Sequence, residues 1–273
     1  MPDIFVLLQL MVTCMHAMLN IAVRAARVAG NIIAQGFEHR DDLMTESKSE
    51  NDYVTRVDKE AEQAIINKIR QSYPDHSFIG EEGGVIDGDE DFKWIIDPLD
   101  GTTNFVRGVP HFAVSIALMH KGRLDQGVVF DPIRNELFTA SRGASAQLNG
   151  YRIRCSNAKE LRGSLLATAF PFKNKEQELA ESLQLFSKVY PQCGDIRRGG
   201  SAALDMAYVA AGRLDGYWEK GLKPWDMAAG ALLIQEAGGL VTDFNGGHEP
   251  MKTGSLVCGS TKLVPALLKT FKQ

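Results

Sequence analysis

The stretch Phe92-Lys93-Trp94-Ile95-Ile96-Asp97-Pro98-Leu99-Asp100-Gly101-Thr102-Thr103-Asn104-Phe105 decides how the rest of the chain is read. Trp94, Ile95 and Ile96 make an apolar run of the length of a short buried strand. The run ends on the carboxylate of Asp97. Pro98 has no N–H and a fixed φ, so the ladder is expected to stop there. Asp100 follows, and Gly101 permits a sharp bend with close backbone approach. Thr102, Thr103 and Asn104 are short polar side chains of the kind found where a helix starts, and free N–H groups there attract anions. D-P-x-D-G is also ordinary turn chemistry. Two acids on a rigid turn beside such amides can, however, hold a divalent cation and a phosphate together.

Upstream, Met18, Ile21, Ala22, Ala25, Ala29, Ile32 and Ile33 keep helical spacing, with Gly36 as the expected stop. Residues 1–14 read as an N-terminal extension: Ile4 to Val12 is apolar but too short to span a bilayer, and no Lys or Arg precedes Arg24. Phe37 to Asn51 is polar and aperiodic, a loop by pattern, and contains Lys48. Thr55-Arg56-Val57-Asp58 has the form of a capping box. It opens a helix with Val57, Ala61, Ile65 and Ile69 on one face, which is reason enough for Asp58. Ser77 to Gly80 is a strand candidate that runs directly into Glu81-Glu82-Gly83-Gly84, so strand-then-acid occurs here as it does at Asp97.

Downstream, His111–Met119, Leu124–Phe130 and Glu136–Ala140 alternate as strands, and Asn149-Gly150 is a hairpin signal. They read as a meander with one buried face, and His111 as a satisfied structural histidine. Beyond residue 160 strands and helices alternate. Gly199-Gly200-Ser201 precedes an Ala-rich helix, and Pro224 opens another with Asp226 in its first turn, where the helix dipole alone favours an acid. The pattern predicts a mixed α/β or α+β fold: one domain over 15–273, a first half to about residue 155 carrying the acidic turn and the meander, and an α/β half over 160–273.

The 273 residues are 44% hydrophobic with net charge −4, a composition that buries a large core and offers no broad nucleic-acid footprint. Cys14, Cys155, Cys193 and Cys258 are scattered and no CxxC occurs, so neither a zinc site nor a disulfide framework is implied, and a reducing cytoplasm is the simplest setting. There is no G-x-S-x-G, no G-x-x-x-x-G-K-[ST] and no H-E-x-x-H.

W-I-I-D-P-L-D-G-T-T-N at 94–104 together with P-W-D at 224–226 and the following E-A-G-G resembles, in order and in residue type, the two signatures of the inositol monophosphatase family. H-F-A-V-S-I-A, R-N-E-L-F-T-A, A-Q-L-N-G-Y and S-A-A-L-D-x-A-Y-V-A-A-G-R extend the likeness over nearly the whole chain and look like the family's bacterial branch. The resemblance implies a lithium-sensitive, Mg²⁺-dependent phosphomonoesterase with an αβαβα layered sandwich, normally a homodimer. It implies two to three Mg²⁺ ions: Glu81, Asp97 and the Leu99 carbonyl on the first, with Thr102 nearby, and Asp97, Asp100 and Asp226 on the second. A weaker third ion would involve Glu81 through water. Asp58 and Thr102 would orient the attacking water, with Glu81 contributing. Gly101, Thr102 and Thr103 would grip the phosphate, and Asp100, Ala202, Glu219 and Asp226 would line the alcohol pocket. Ser201 stands where some relatives have threonine, and a family lysine sits near Lys48. Arg197-Arg198 suits a second phosphate, a subunit contact or plain solvation.

Oxygen-only ligands select Mg²⁺ over zinc, and the resemblance implies a small phosphate monoester as substrate, with inositol monophosphate first and sugar or nucleotide phosphates as rivals. Bacterial relatives of this type also serve the transcription antitermination machinery. RNA polymerase and its antitermination factors are therefore the alternative partners, and a membrane partner is not expected.

Overall fold

The computed structural model describes residues 4–39, 45–49, 52–171 and 175–273, and the side chains of 17–39, 56–171 and 178–273. In chain order the elements are α1 (Ile4–Glu38), β1 (Thr45–Ser49), β2 (Asp52–Thr55), α2 (Arg56–Arg70), β3 (His76–Gly80), β4 (Gly84–Ile86) and β5 (Asp89–Asp100). Then follow α3 (Thr102–Val106), β6 (Ala113–His120), β7 (Arg123–Asp131), β8 (Glu136–Ser141), β9 (Ala146–Leu148) and β10 (Tyr151–Arg152). The second half holds β11 (Leu165–Thr168), α4 (Lys175–Val189), β12 (Asp195–Arg197), α5 (Ala202–Ala210), β13 (Gly216–Lys220), α6 (Pro224–Glu236), β14 (Leu240–Thr242), α7 (Pro250–Thr253), β15 (Ser255–Gly259) and α8 (Leu263–Lys272).

Two sheets and three helical layers alternate, as the αβαβα expectation requires. An eight-stranded sheet has the order β10-β9-β8-β7-β6-β5-β3-β4, and a five-stranded sheet the order β12-β11-β13-β15-β14. One core joins α1 and α2 to the first sheet through Ala25, Ile33, Ile65, Trp94, Ile96 and Ile116. A second lies between the sheets around α5 and α6. A third packs Leu185 of α4 and Leu267 of α8 on Trp218 and Val257.

The meander therefore has two buried faces, not one. Val114, Ile116 and Leu118 of β6 point to α1 and α2, while Ala113 and Ala117 point to α5 and α6. The small residues on the second face let helix and sheet approach closely: a Cβ on Gly127 of β7 would lie 3.1 Å from the Ala229 carbonyl oxygen of α6. Ala17–Glu38 of α1 is long and apolar enough by composition to cross a membrane. Its Ala22, Ala25, Ala26, Ala29 and Ile33 are buried in the core, which accounts for that apolarity.

Three local expectations change. Gly36 does not stop α1, which runs on to Glu38; a Cβ there would come within 2.6 Å of Val57, so the glycine is where α2 packs. The polar segment 37–51 contains β1, paired antiparallel with β2. Pro98 does not end β5: Asp97 pairs with Ser115 and Asp100 with Ala113, so a bulge takes up the extra residue. The side chains of Lys48 and of the cap Thr55 lie outside the described residues. Asn149 (φ 49°) and Gly150 (φ 82°) form the expected tight hairpin between β9 and β10.

Candidate active site

Five strand ends and three helix starts meet at a cavity of about 180 Å³ whose lining includes Glu81, Asp97, Asp100, Thr102, Glu219 and Asp226. The bulge in β5 is what aims Asp97 and Asp100 at the same space: it removes the alternation that would otherwise turn them apart. Gly101 then turns the chain at φ 102°, and a Cβ there would sit 3.0 Å from the His111 carbonyl oxygen, so only glycine fits. Glu81 leaves the end of β3 with its N–H donating to the Ile96 carbonyl at 3.2 Å, which ties it to the strand carrying Asp97. Asp226 is held at the start of α6 by the Lys223 N–H, which donates to its Oδ2 at 2.6 Å.

Asp97 is buried, whereas Glu81, Asp100, Glu219 and Asp226 are partly exposed because they face the cavity. Burial, and then the charges of Glu81, Asp100 and Asp226, hold the Asp97 carboxyl well above the usual carboxylate range, against one hydrogen bond from the Leu99 N–H. Burial raises Asp100 to about 6; the Ser201 hydroxyl (2.6 Å) and the Ala203 N–H (2.7 Å) donate to it and oppose that rise. Asp226 is pushed up by burial and then by Asp100. Glu219 rises to about 8, chiefly by burial, while the Tyr217 hydroxyl donates to it and holds it down. Like charges crowded into one cavity are costly unless a cation or protons balance them. Among the described residues no three His, Cys, Asp or Glu side chains stand in a ligating arrangement about one point. The donor set itself is all oxygen: carboxylates, the Leu99 carbonyl and the Thr102 hydroxyl, which suits a hard cation such as Mg²⁺.

Asp58, buried at the start of α2, reaches this group through Thr102, whose hydroxyl lies 3.2 Å from Asp58 Oδ1 and 3.1 Å from the Leu99 carbonyl. Gly101, Thr103 and Ala202 also line the cavity. The sequence-predicted site residues are thus brought to one place. Of the arginine pair only Arg198 reaches the cavity; Arg197 is ion-paired to Asp195. His111 departs from expectation: its buried Nε2 has no hydrogen-bond partner.

Asp205, Phe170 and Glu62 escaped the sequence reading, and Asn104 was read only as a polar side chain at a helix start. Asn104 donates from one amide nitrogen to the carbonyls of His111 (2.7 Å) and Gly199 (3.0 Å), clasping the two site loops. Asp205, on α5, is buried against the cavity and raised by burial and by Asp100. Phe170 forms part of the wall. Glu62, buried on α2, accepts from the N–H groups of Glu82 (3.0 Å) and Gly83 (2.6 Å) and so sets the turn that carries Glu81. Its only sequence signal was an acid beside Ala61 on the apolar face of a helix.

A family model described as the inositol monophosphatase family matches residues 15–273. The chain is 58% identical over 259 residues to the "Nus factor SuhB" of Escherichia coli K12, covering 94% of this chain and 97% of that protein. Among solved structures it is similar to the extragenic suppressor protein suhB from Bartonella henselae (TM-score 0.91, 41% identity, 94% of this chain and 99% of that one). It is also similar to an inositol monophosphatase from Anabaena (Nostoc) sp. PCC 7120 (TM-score 0.84, 36% identity, 94% and 96%).

Proposed function

The chain belongs to the inositol monophosphatase family, and from that premise we propose a Mg²⁺-dependent phosphomonoesterase that hydrolyses inositol monophosphate to inositol and phosphate. The observation that carries the reading is the crowding of Glu81, Asp97, Asp100 and Asp226 at one cavity, where each of the three aspartates is raised partly by its neighbours or by burial beside them. Glu81, Asp97 and the Leu99 carbonyl would hold one ion, and Asp97, Asp100 and Asp226 a second. Bound there, Mg²⁺ would neutralise the phosphoryl oxygens, acidify a water and stabilise the leaving alkoxide.

The chain's own groups do the rest. The Thr102 hydroxyl has one proton, which it can give to Asp58 or to Leu99, so its lone pair is free to take a proton from an incoming water while Asp58 receives the hydroxyl's own. The first N–H groups of α3 have no intrahelical partner and can donate to the phosphate. Glu219, protonated more readily than an ordinary glutamate, can donate to or accept from a polyol hydroxyl. Arg198 supplies a cation at the rim of an otherwise acidic cavity. A homodimer in the cytoplasm is part of this reading. The test is phosphate release from myo-inositol 1-phosphate, with fructose 1,6-bisphosphate and nucleotide 3′-phosphates alongside. Release that needs Mg²⁺, falls with Li⁺ and is fastest on the inositol ester is expected. No release from any monoester would overturn the reading.

A second reading rests on the name of the 58%-identical relative, "Nus factor SuhB". In it the chain is a partner of RNA polymerase and antitermination factors. Pull-downs with wild type and Asp97→Ala separate the two roles: capture that survives the substitution makes the surface independent of the site.

A further inference from the structure

A second cavity, of about 690 Å³, lies at the end of α6 away from Asp226. Its walls come from three places: the end of β10 with the segment after it, the last turn of α6, and the β15–α8 turn. Arg152, Arg154, Lys159 and Lys262 line it. All four are exposed, and among the described residues none is hydrogen-bonded or ion-paired through its side chain. The one acid in the lining, Glu236, is already engaged: its two oxygens accept from the N–H groups of Gly143 (2.7 Å) and Ser145 (3.1 Å) in the β8–β9 turn.

The walls are braced to one another. The Ser260 hydroxyl donates to the Ala158 carbonyl and accepts from the Leu263 N–H at 3.1 Å, which pins the β15–α8 turn to the segment after β10. The Cys155 N–H donates to the Ala237 carbonyl at 3.1 Å and pins that segment to the end of α6. The cations therefore project from a fixed frame. The cavity is also within the size range of sites that enclose small ligands.

Four positive charges against the single carboxylate of Glu236, on a chain of net charge −4, make a local field of the opposite sign to the whole. A phosphoryl group carries about −1.5 to −2 at neutral pH, so two of them, about −3 to −4 together, match four cations set against one carboxylate. We propose that this cavity binds a small molecule carrying two phosphoryl groups. The inference is independent of the hydrolytic site and of the reading proposed for it.

The test is calorimetric titration of the full chain in EDTA with inorganic pyrophosphate. Orthophosphate and a short single-stranded RNA serve as comparisons, and the Arg154→Gln/Lys159→Gln/Lys262→Gln and Asp97→Asn variants are titrated in parallel. Expected is one pyrophosphate per chain, at least about tenfold tighter than orthophosphate, weakened at least about tenfold in the triple variant and unchanged in Asp97→Asn. The three side chains are exposed, so the variant's melting curve should match wild type; if it does not, Lys159→Gln/Lys262→Gln replaces it. Absence of binding, binding the cationic variants retain, or binding of RNA without pyrophosphate would each overturn the proposal.

Discussion

The two ends of α6 carry opposite electrostatics. At its start Asp226 joins Glu81, Asp97 and Asp100, acids drawn into one cavity with their carboxyls raised. At its end stand Arg152, Arg154, Lys159 and Lys262, exposed to solvent. Asp226 in the first turn agrees with the helix dipole, which favours anions there; the last turn carries Glu236 and no base, and the cations beside it come from neighbouring segments. The two arrangements differ in what they cost. Exposed cations are hydrated and inexpensive, so their grouping constrains little by itself. Crowded, partly desolvated acids oppose folding unless something balances them, so their grouping points strongly to a bound cation.

The sharpest way to break that contrast is Asp97→Asn, at the most buried of the four acids. Hydrolysis under saturating Mg²⁺ is expected to fall by on the order of 100-fold or more, since one preorganised charge is removed from the reacting centre. In EDTA the same variant should melt no lower than wild type, because the lost charge was repelled by three neighbours. Phosphate release and thermal melts read the two effects. Near-normal turnover, or a fold that collapses, would mean the acids serve packing.

A smaller effect is expected one layer out. Glu62 accepts from the Glu82 and Gly83 amides and so holds the turn that carries Glu81. Glu62→Gln keeps one carbonyl acceptor where two oxygens served, at a cost of about 1–3 kcal/mol of stability. Apparent Mg²⁺ affinity should fall roughly tenfold, the order of outer-shell substitutions at metal sites, while turnover at saturating Mg²⁺ recovers. A turnover defect that Mg²⁺ cannot relieve would instead give Glu62 a role at the reacting atoms.

This gradation also explains what the chain disclosed before its structure was known. Asp97, Asp100 and Asp226 sit in local signatures, because a strand, a bulge or turn, and a helix start must follow one another within a few residues to aim them. Alternation and helical spacing disclosed a mixed α/β or α+β fold; the order of the layers came only with the family resemblance. Glu62, Asp205 and the clasping role of Asn104 were not legible, since each acts through a partner remote in sequence: Asn104 reaches Gly199 across 95 positions. Pro98 misled because its missing N–H marks a strand end or a bulge equally well, and only the partner strand decides between them. Gly36 misled for a like reason: a glycine that ends a helix and one that lets another helix approach look alike until Val57 is seen against it.

The smallest effect concerns Glu219, which shares the acidic cavity but is not among the proposed metal ligands. Its carboxyl is raised, mainly by burial, from 4.5 to about 8. The folded state therefore holds this proton more tightly than the unfolded state. The resulting stabilisation is fully present below pH 4.5 and is lost as pH rises towards about 8. Glu219→Gln imitates the protonated form at every pH. In EDTA the two proteins should melt together near pH 4.5, and the variant should gain on wild type by a few degrees (~1 kcal/mol) on approaching pH 8.5. The gain is limited because the side chain is partly open to solvent. Lys262→Gln, at the other end of α6, should show no such divergence across the same window. Parallel melting curves for wild type and Glu219→Gln would remove Glu219 from the crowded acids and leave the contrast between the two ends to Asp97, Asp100 and Asp226.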